Sequence, residues 1–286
     1  MIVITGATGQ LGRLVIEKLL ASVPANEIVA AVRNPQKADD LAARGIQVRQ
    51  ADYDQPDTLA QAFQGADKLL LVSANEIGRR LPQHRAVIEA AKTAKVGLLV
   101  YTSILHADSS PLPLAAEHKA TESLIQASGI PFVLLRNGWY SENYLASVPA
   151  ALQHGVMLGS AGDGRIASAA RADYAEAAAA ALTRSSQAGR VYELAGDDSY
   201  TLTELSQEIS RQTGKTVVYQ NLPEVEFKAA LVGAGLPEGL ATLLSESDVG
   251  ASKGGLFDNG HQLSQLIGRP TTSMASQVSL VLKTVL

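Results

Sequence analysis

MIVITGATGQLGRLVIEKLL, residues 1–20, decides the fold. A short apolar run, Ile2–Thr5, reads as a strand, and LGRLVIEKLL from Leu11 reads as a helix. Between them Gly6, Gly9 and Gly12 recur every third residue. Glycine lets a backbone turn tightly and approach a ligand that a Cβ would hold off. The turn leaves unpaired N–H groups at a helix N-terminus, where the macrodipole favours negative charge. Strand, glycine turn and helix together predict a cradle for a pyrophosphate, formed by Gly6, Ala7, Thr8, Gly9, Gln10 and Leu11. The plainer alternative, a turn that only lets helix and strand pack closely, loses to the context that follows.

That context is an alternation. Apolar runs at 28–32, 46–51, 69–73, 97–103 and 131–137 read as further strands. DTLAQAFQ from Asp57, HRAVIEAAKTA from His84 and LAAEHKATESLIQAS from Leu114 read as helices between them. Strands apolar on both faces and separated by helices predict a parallel sheet covered on both sides, hence a Rossmann-type doubly wound α/β fold. At the end of the second strand of such a fold a carboxylate would bind the adenosine 2′-hydroxyl; here Arg33-Asn34-Pro35 follows instead. A guanidinium suits a 2′-phosphate, which favours NADPH over NADH; the bland alternative is a solvated arginine on a loop. Asp52 after the third strand is either an adenine contact or a turn cap, and Ser73, Ala74 and Asn75 after the fourth are expected to run beneath the nicotinamide ribose, the alternative being a strand-to-loop cap.

Beyond Asn137 the rhythm changes. ENYLASVPAALQHG is helical, GSAGDGR a loop, ADYAEAAAAALTR a helix starting at Asp173, and VYELAG a late strand. TLTELSQEISRQTG opens on a threonine cap and closes on glycine. We therefore expect a Rossmann domain over 1–136, with 166–198 returning to it, and a smaller C-terminal α/β lobe for substrate over most of 137–286. The substrate cleft is expected between them, near Tyr140 and residues 250–257.

Composition narrows the function. The chain of 286 residues is 46% hydrophobic and 18% charged, an ordinary packed globule. A net charge of -4 gives no footprint for nucleic acid. The absence of cysteine removes disulfides, thiolate metal sites and a cysteine nucleophile. The five histidines, at 84, 106, 118, 154 and 261, show no metal-ligand spacing, and no GxSxG elbow is present. MIVIT is too short for a signal-peptide core, and no apolar run is long enough for a bilayer, so the expectation is a soluble cytoplasmic protein.

TGATGQLG, the arginine after the second strand, ADYDQPDTLAQAFQGAD and LLRNGWYSENY resemble the NmrA-like group of atypical short-chain dehydrogenases over essentially the full length. LLRNGWYSENYLASVPAAL, AGDGRIASAARADYA and SDVGASKGGLFD bring the chain nearest to the bacterial type 2 NAD(P)H:quinone oxidoreductases of that group. The resemblance implies NADPH binding through Gly6–Leu11, Arg33, Ser73–Asn75 and the run Asn137, Gly138, Trp139, Tyr140, Ser141 and Glu142. It also implies two-electron reduction of a small-molecule quinone, without flavin or metal. Relatives are often oligomeric, which leaves room for a homo-oligomer, although no exposed heptad declares an interface.

Ordinary short-chain dehydrogenases protonate a carbonyl with a tyrosine of a Tyr-x-x-x-Lys pair. With Glu122 as the anchor of the alignment, Leu114 falls at the tyrosine and His118 at the lysine, while Ser103 stands at the usual serine. The proton-donating tyrosine is absent. A quinone tolerates that absence, because its hydride adduct is a stabilised phenolate-type anion that takes a proton from water. Tyr140 and His118 are the candidate catalytic residues. The bland alternatives are a ring packed between lobes for Tyr140, a core anchor for Trp139, and a helix residue with a satisfied hydrogen bond for His118. His84 is expected to be solvated and Lys253 to lie on a surface loop. A competing reading of the whole chain is an NADP(H)-sensing regulator without turnover.

Overall fold

The computed structural model describes residues 1–76 and 78–285. Nine strands are described: β1 (Ile2–Thr5), β2 (Ile28–Val32), β3 (Gln47–Gln50), β4 (Lys68–Leu71), β5 (Leu98–Ile104), β6 (Phe132–Asn137), β7 (Val156–Gly159), β8 (Arg190–Leu194) and β9 (Val218–Asn221). Seven of them form one sheet in the order β3-β2-β1-β4-β5-β6-β8, and β7 pairs with β9 in a second. The pairs among β1 to β6 are all parallel. Register brings Ile2 opposite Ile28 on one side and opposite Lys68 on the other. The chain thus winds outward from β1 in both directions, and the turn after β1 lies at the switch point where such sheets bind ligands.

The helices that cover the sheet are α1 (Gln10–Leu19), the short α2 (Asp39–Ala42), α3 (Pro56–Ala62), α4 (Arg80–Thr93), α5 (Ala115–Ser128) and, later in the chain, α8 (Arg171–Thr183). Between α5 and α8 lie α6 (Ser141–Leu145) and α7 (Val148–His154). One core combines Val3, Val29, Leu69 and Leu99 of the strands with Leu59, Phe63, Val87 and Ile125 of the helices. Side chains of this size contribute about 1.5–3 kcal/mol each when fully buried. On α1, Val15, Ile16 and Leu19 are buried, and α8, whose buried residues include Ala175, Ala178 and further alanines, packs against that helix. Small side chains let the two axes approach, and Lys18 pairs with Glu176 at 2.7 Å beside the contact.

The chain divides into two compact units. The first comprises Met1–Ala107, Ala116–Asn137 and Arg171–Glu193; the second comprises Asp108–Ala115, Gly138–Ala170 and Leu194–Leu286. The second unit holds the β7–β9 sheet, α6, α7, α9 (Leu202–Thr213), α10 (Glu224–Gly233), α11 (Glu238–Ser252), α12 (Gln262–Ile267) and α13 (Met274–Val285). Helix α9 starts as its sequence requires: the Thr201 hydroxyl accepts from the Glu204 N–H, the Glu204 carboxylate accepts from the Thr201 N–H, and Gly214 ends it at φ 68°.

Several boundaries differ from the sequence reading, ENYLASVPAALQHG being divided between α6 and α7, and two of them fall at buried polar residues. Helix α4 begins a turn before His84, at Arg80, and α8 begins at Arg171, so that Asp173 sits buried within the first turn. In α4 the extra turn buries two long polar residues, Arg80 and Gln83, which an apolar periodicity does not reveal. No described helix is long and apolar enough to cross a membrane.

Candidate cofactor site

Gly6 sits at φ +58°, the left-handed region in which a side chain is strained. Its carbonyl accepts from the Gly9 N–H at 2.9 Å, closing the turn. Gly9 is the N-cap of α1 in extended conformation, and no side chain caps that helix or places an acid in its first turn. Gly12 explains the third glycine of the spacing. A Cβ there would lie 2.4 Å from the Gly6 carbonyl oxygen and 2.8 Å from the Ala7 Cα, so α1 could not lie where it does. The close packing is real, and it serves to aim an uncapped helix end into open space.

That space is a cleft of about 790 Å³ formed entirely within the first unit. Its wall includes Gly6, Thr8 through Arg13, Arg33 after β2, Asp52 and Tyr53 after β3, and Ser73, Ala74, Asn75 and Glu76 after β4. The volume falls in the range of small-molecule sites. The structure therefore brings the expected Gly6–Leu11, Arg33 and Ser73–Asn75 around one hollow, with Ala7 buried just behind the wall. Residues that the sequence reading passed over join them, among them Arg13, Lys37, Tyr53, Glu76 and Gln83. Lys37, four residues after Arg33, was legible as a second cation near the same strand end; Gln83 was not.

The residues fit a phosphorylated dinucleotide. A cradle that a Cβ would fill, a helix N-terminus without an acid, and two cations with no carboxylate directly after β2 are the features such a ligand needs. Gln83 adds a buried side-chain oxygen without a hydrogen-bond partner beside the cleft, and the buried Asn137 Oδ1 at the end of β6 is another.

Elsewhere the first unit holds its loops with buried polar groups. Asp52 caps its own turn, accepting from the Asp54 N–H at 3.1 Å and from the Gln55 amide at 2.9 Å, so the cap is the role the structure displays. His84 is fully buried rather than solvated. Its Nε2 accepts from the Ala74 N–H at 2.9 Å, which fixes the proton on Nδ1, facing the Thr121 hydroxyl at 2.9 Å. Arg80 Nε donates to the Ala74 carbonyl at 2.5 Å. One residue of the cleft wall, Ala74, is thus held through both its N–H and its carbonyl. Burial, with the Arg80 charge adding to it, pushes His84 down to about 3 and keeps the ring a neutral acceptor.

His118 is also buried, with Nδ1 at 2.8 Å from the Tyr101 hydroxyl. Burial, then Arg80 and His84, lower its pKa to about 3, so it carries no proton to give as an imidazolium near neutrality. Leu114 is buried where a short-chain dehydrogenase would carry its tyrosine. Ser103 donates to Glu122 Oε1 at 2.5 Å, and Arg136 grips the same carboxylate through Nε at 3.0 Å and Nη2 at 2.6 Å while reaching Glu193 at 2.9 Å. The serine is committed to a structural ion-pair network. In the second unit Trp139 is buried, Tyr140 is half-buried as the N-cap of α6, Ser141 is buried against Ser168 at 2.6 Å, and Lys253 is exposed at the end of α11. No group of three or more histidines and acids able to hold a metal occurs among the described residues.

Fold and site define a dinucleotide-binding protein, and the chain belongs to the NAD(P)H-binding family, whose pattern it matches over residues 6–185. It is 62% identical to quinone oxidoreductase 2 of Escherichia coli strain K12 over 279 residues, covering 98% of each chain. The crystal structure of the NADPH-dependent quinone oxidoreductase of Escherichia coli complexed with NADPH superposes with a TM-score of 0.97, covering 99% of this chain and 100% of that one at 62% identity. An NmrA-like family domain-containing oxidoreductase of Aspergillus flavus is 29% identical over 242 residues, 78% of this chain and 75% of that one.

Proposed function

We propose that the chain is an NADPH-dependent quinone oxidoreductase that passes two electrons directly to a quinone. The observation that carries this reading is the pairing of a phosphate-shaped glycine turn and Arg33 with the absence of any tyrosine at Leu114. Near-identity in fold and 62% identity in sequence with the Escherichia coli quinone oxidoreductase support it. Bound NADPH supplies the hydride.

The chain's own part is to bind and orient. Gly6–Leu11 offer amides to the bridging phosphates, with Gly12 keeping α1 against the turn. Arg33, with Lys37 nearby, offers cations to the 2′-phosphate, which sets NADPH above NADH. Ser73–Asn75, held through Ala74 by His84 and Arg80, carry the wall toward the nicotinamide ribose. Asn137 and the run through Glu142, Tyr140 included, remain in the proposal as contacts of the nicotinamide end. Hydride addition to a quinone gives a hydroquinone anion, and with His118 neutral and Ser103 tied to Glu122 the proton comes from water. Proximity and orientation then account for the rate.

The test is consumption of NADPH by the purified chain with a set of benzo- and naphthoquinones, followed by nicotinamide absorbance. Turnover above the uncatalysed background, with hydroquinone formed in equal amount, is expected. NADP(H) binding without turnover across all of them would give the protein to the regulator reading, which shares the glycine turn but has no support in the Escherichia coli relative.

A further inference from the structure

Arg33 is not waiting unpartnered at the cleft. Its Nη1 lies 3.3 Å from Glu76 Oε1, and both residues line the hollow. The two come from opposite sides of the glycine turn: Arg33 follows β2, Glu76 follows β4, and β1 runs between those strands. The carboxylate is held in place from behind. Glu76 Oε2 accepts from Arg79 Nη1 at 3.3 Å and from the Gln83 amide at 3.2 Å, leaving Oε1 to Arg33. Arg79 and Gln83 are themselves tied to Asp54, Arg79 at 2.9 Å and the Gln83 amide at 3.3 Å. Arg33 is two-thirds exposed, its side chain at 68%, so it can exchange partners without unpacking a core.

We propose that Glu76 is a specificity-setting residue: an internal anion that occupies Arg33 in the absence of coenzyme and competes with the adenosine 2′-phosphate for it. The inference rests on the reading of Arg33 as the 2′-phosphate ligand. A phosphate at that place must draw the guanidinium from a fixed carboxylate and tolerate that carboxylate nearby. Both effects weaken binding of a 2′-phosphorylated nucleotide, and neither touches one with a free 2′-hydroxyl. Glu76 therefore narrows the preference for NADPH over NADH that Arg33 creates, and it eases release of the phosphorylated product.

Isothermal titration with adenosine 2′,5′-bisphosphate and with 5′-AMP reads this without turnover. Glu76→Gln keeps a carbonyl for Arg79 and Gln83 but removes the charge. An exposed pair plus relief of a like-charge approach should tighten the bisphosphate by about three- to tenfold at low salt, with the gain fading as salt is raised. Binding of 5′-AMP should stay within about twofold, below the effect of one exposed ion pair. In an Arg33→Ala background the same substitution should lose most of its gain, because the competition needs Arg33. Equal tightening of both nucleotides, a weaker bisphosphate complex, or an undiminished gain without Arg33 overturns the inference. A wild-type chain that does not distinguish the two nucleotides removes the Arg33 reading itself, and this inference with it.

Discussion

Gly12→Ala tests the architecture of the cofactor turn. The added Cβ would stand 2.4 Å from the Gly6 oxygen, 2.8 Å from the Ala7 Cα and 2.9 Å from the Gly6 carbonyl carbon. All three are backbone atoms, so no rotamer change relieves the contact. Restoring 3.4 Å, where ordinary contact begins, requires α1 to move away from the turn by about 1 Å. Overpacking of this kind costs about 1–3 kcal/mol. For a chain of this size that corresponds to a fall in Tm of roughly 2–10 °C. The same movement carries the amides of the first turn away from the phosphates. Losing one hydrogen bond to a charged group, about 1.5–3 kcal/mol, weakens NADP+ by about 10- to 100-fold. Gly9→Ala, whose Cβ would meet no protein atom but the Gly6 oxygen at 3.1 Å, should be milder on Tm, while its Cβ in the cleft lining still weakens NADP+. Gly239→Ala in α11, with nothing within 4 Å, should be neutral or slightly stabilising. Calorimetry and NADP+ titration of the three variants make the comparison. If Gly12→Ala keeps both the wild-type Tm and the wild-type affinity, the close approach of α1 to the turn is not what shapes the site.

Arg33→Ala should raise KM for NADPH by about 10- to 100-fold, the value of a charge-assisted contact, and leave NADH nearly unchanged; steady-state kinetics with both coenzymes checks it, and equal effects would refute the 2′-phosphate role. His84 and His118 are both lowered to about 3, chiefly by burial. Their native pKa values lie below the unfolded value, so the stability they contribute is complete above about pH 6.5 and is lost as pH falls toward 3. Imidazole nitrogen shifts should show both rings neutral at pH 5, and a titration near 6.5 would contradict their burial. Asp248 in α11 accepts from the Tyr144 hydroxyl at 3.0 Å and the Ser160 N–H at 2.8 Å, yet burial raises it to about 6. With the folded pKa above the unfolded one, its contribution is complete below about pH 4 and is lost as pH rises through 6. The Tm of wild type relative to Asp248→Asn should therefore fall between pH 4 and 7, and a flat difference would show that the carboxyl is not desolvated.

The first 20 residues determined the outcome at the cofactor end because everything there is local. A strand, a turn and a helix joined within a dozen residues need no distant partner to define them, and the meaning of Gly6, Gly9 and Gly12 follows from backbone sterics. The missing tyrosine at Leu114 was legible for the same reason, as one position in one helix. Burial of His84 was decided by tertiary structure: its helix starts a turn early, and only the wall loop after β4 supplies the Ala74 N–H that occupies its ring. The same holds for Glu76 on Arg33, 43 residues apart, and for Arg136 on Glu122 and Glu193, 14 and 57 apart. Which charges meet across strand ends depends on the order β2-β1-β4 and β5-β6-β8, and that order is a property of the assembled sheet rather than of any segment within it.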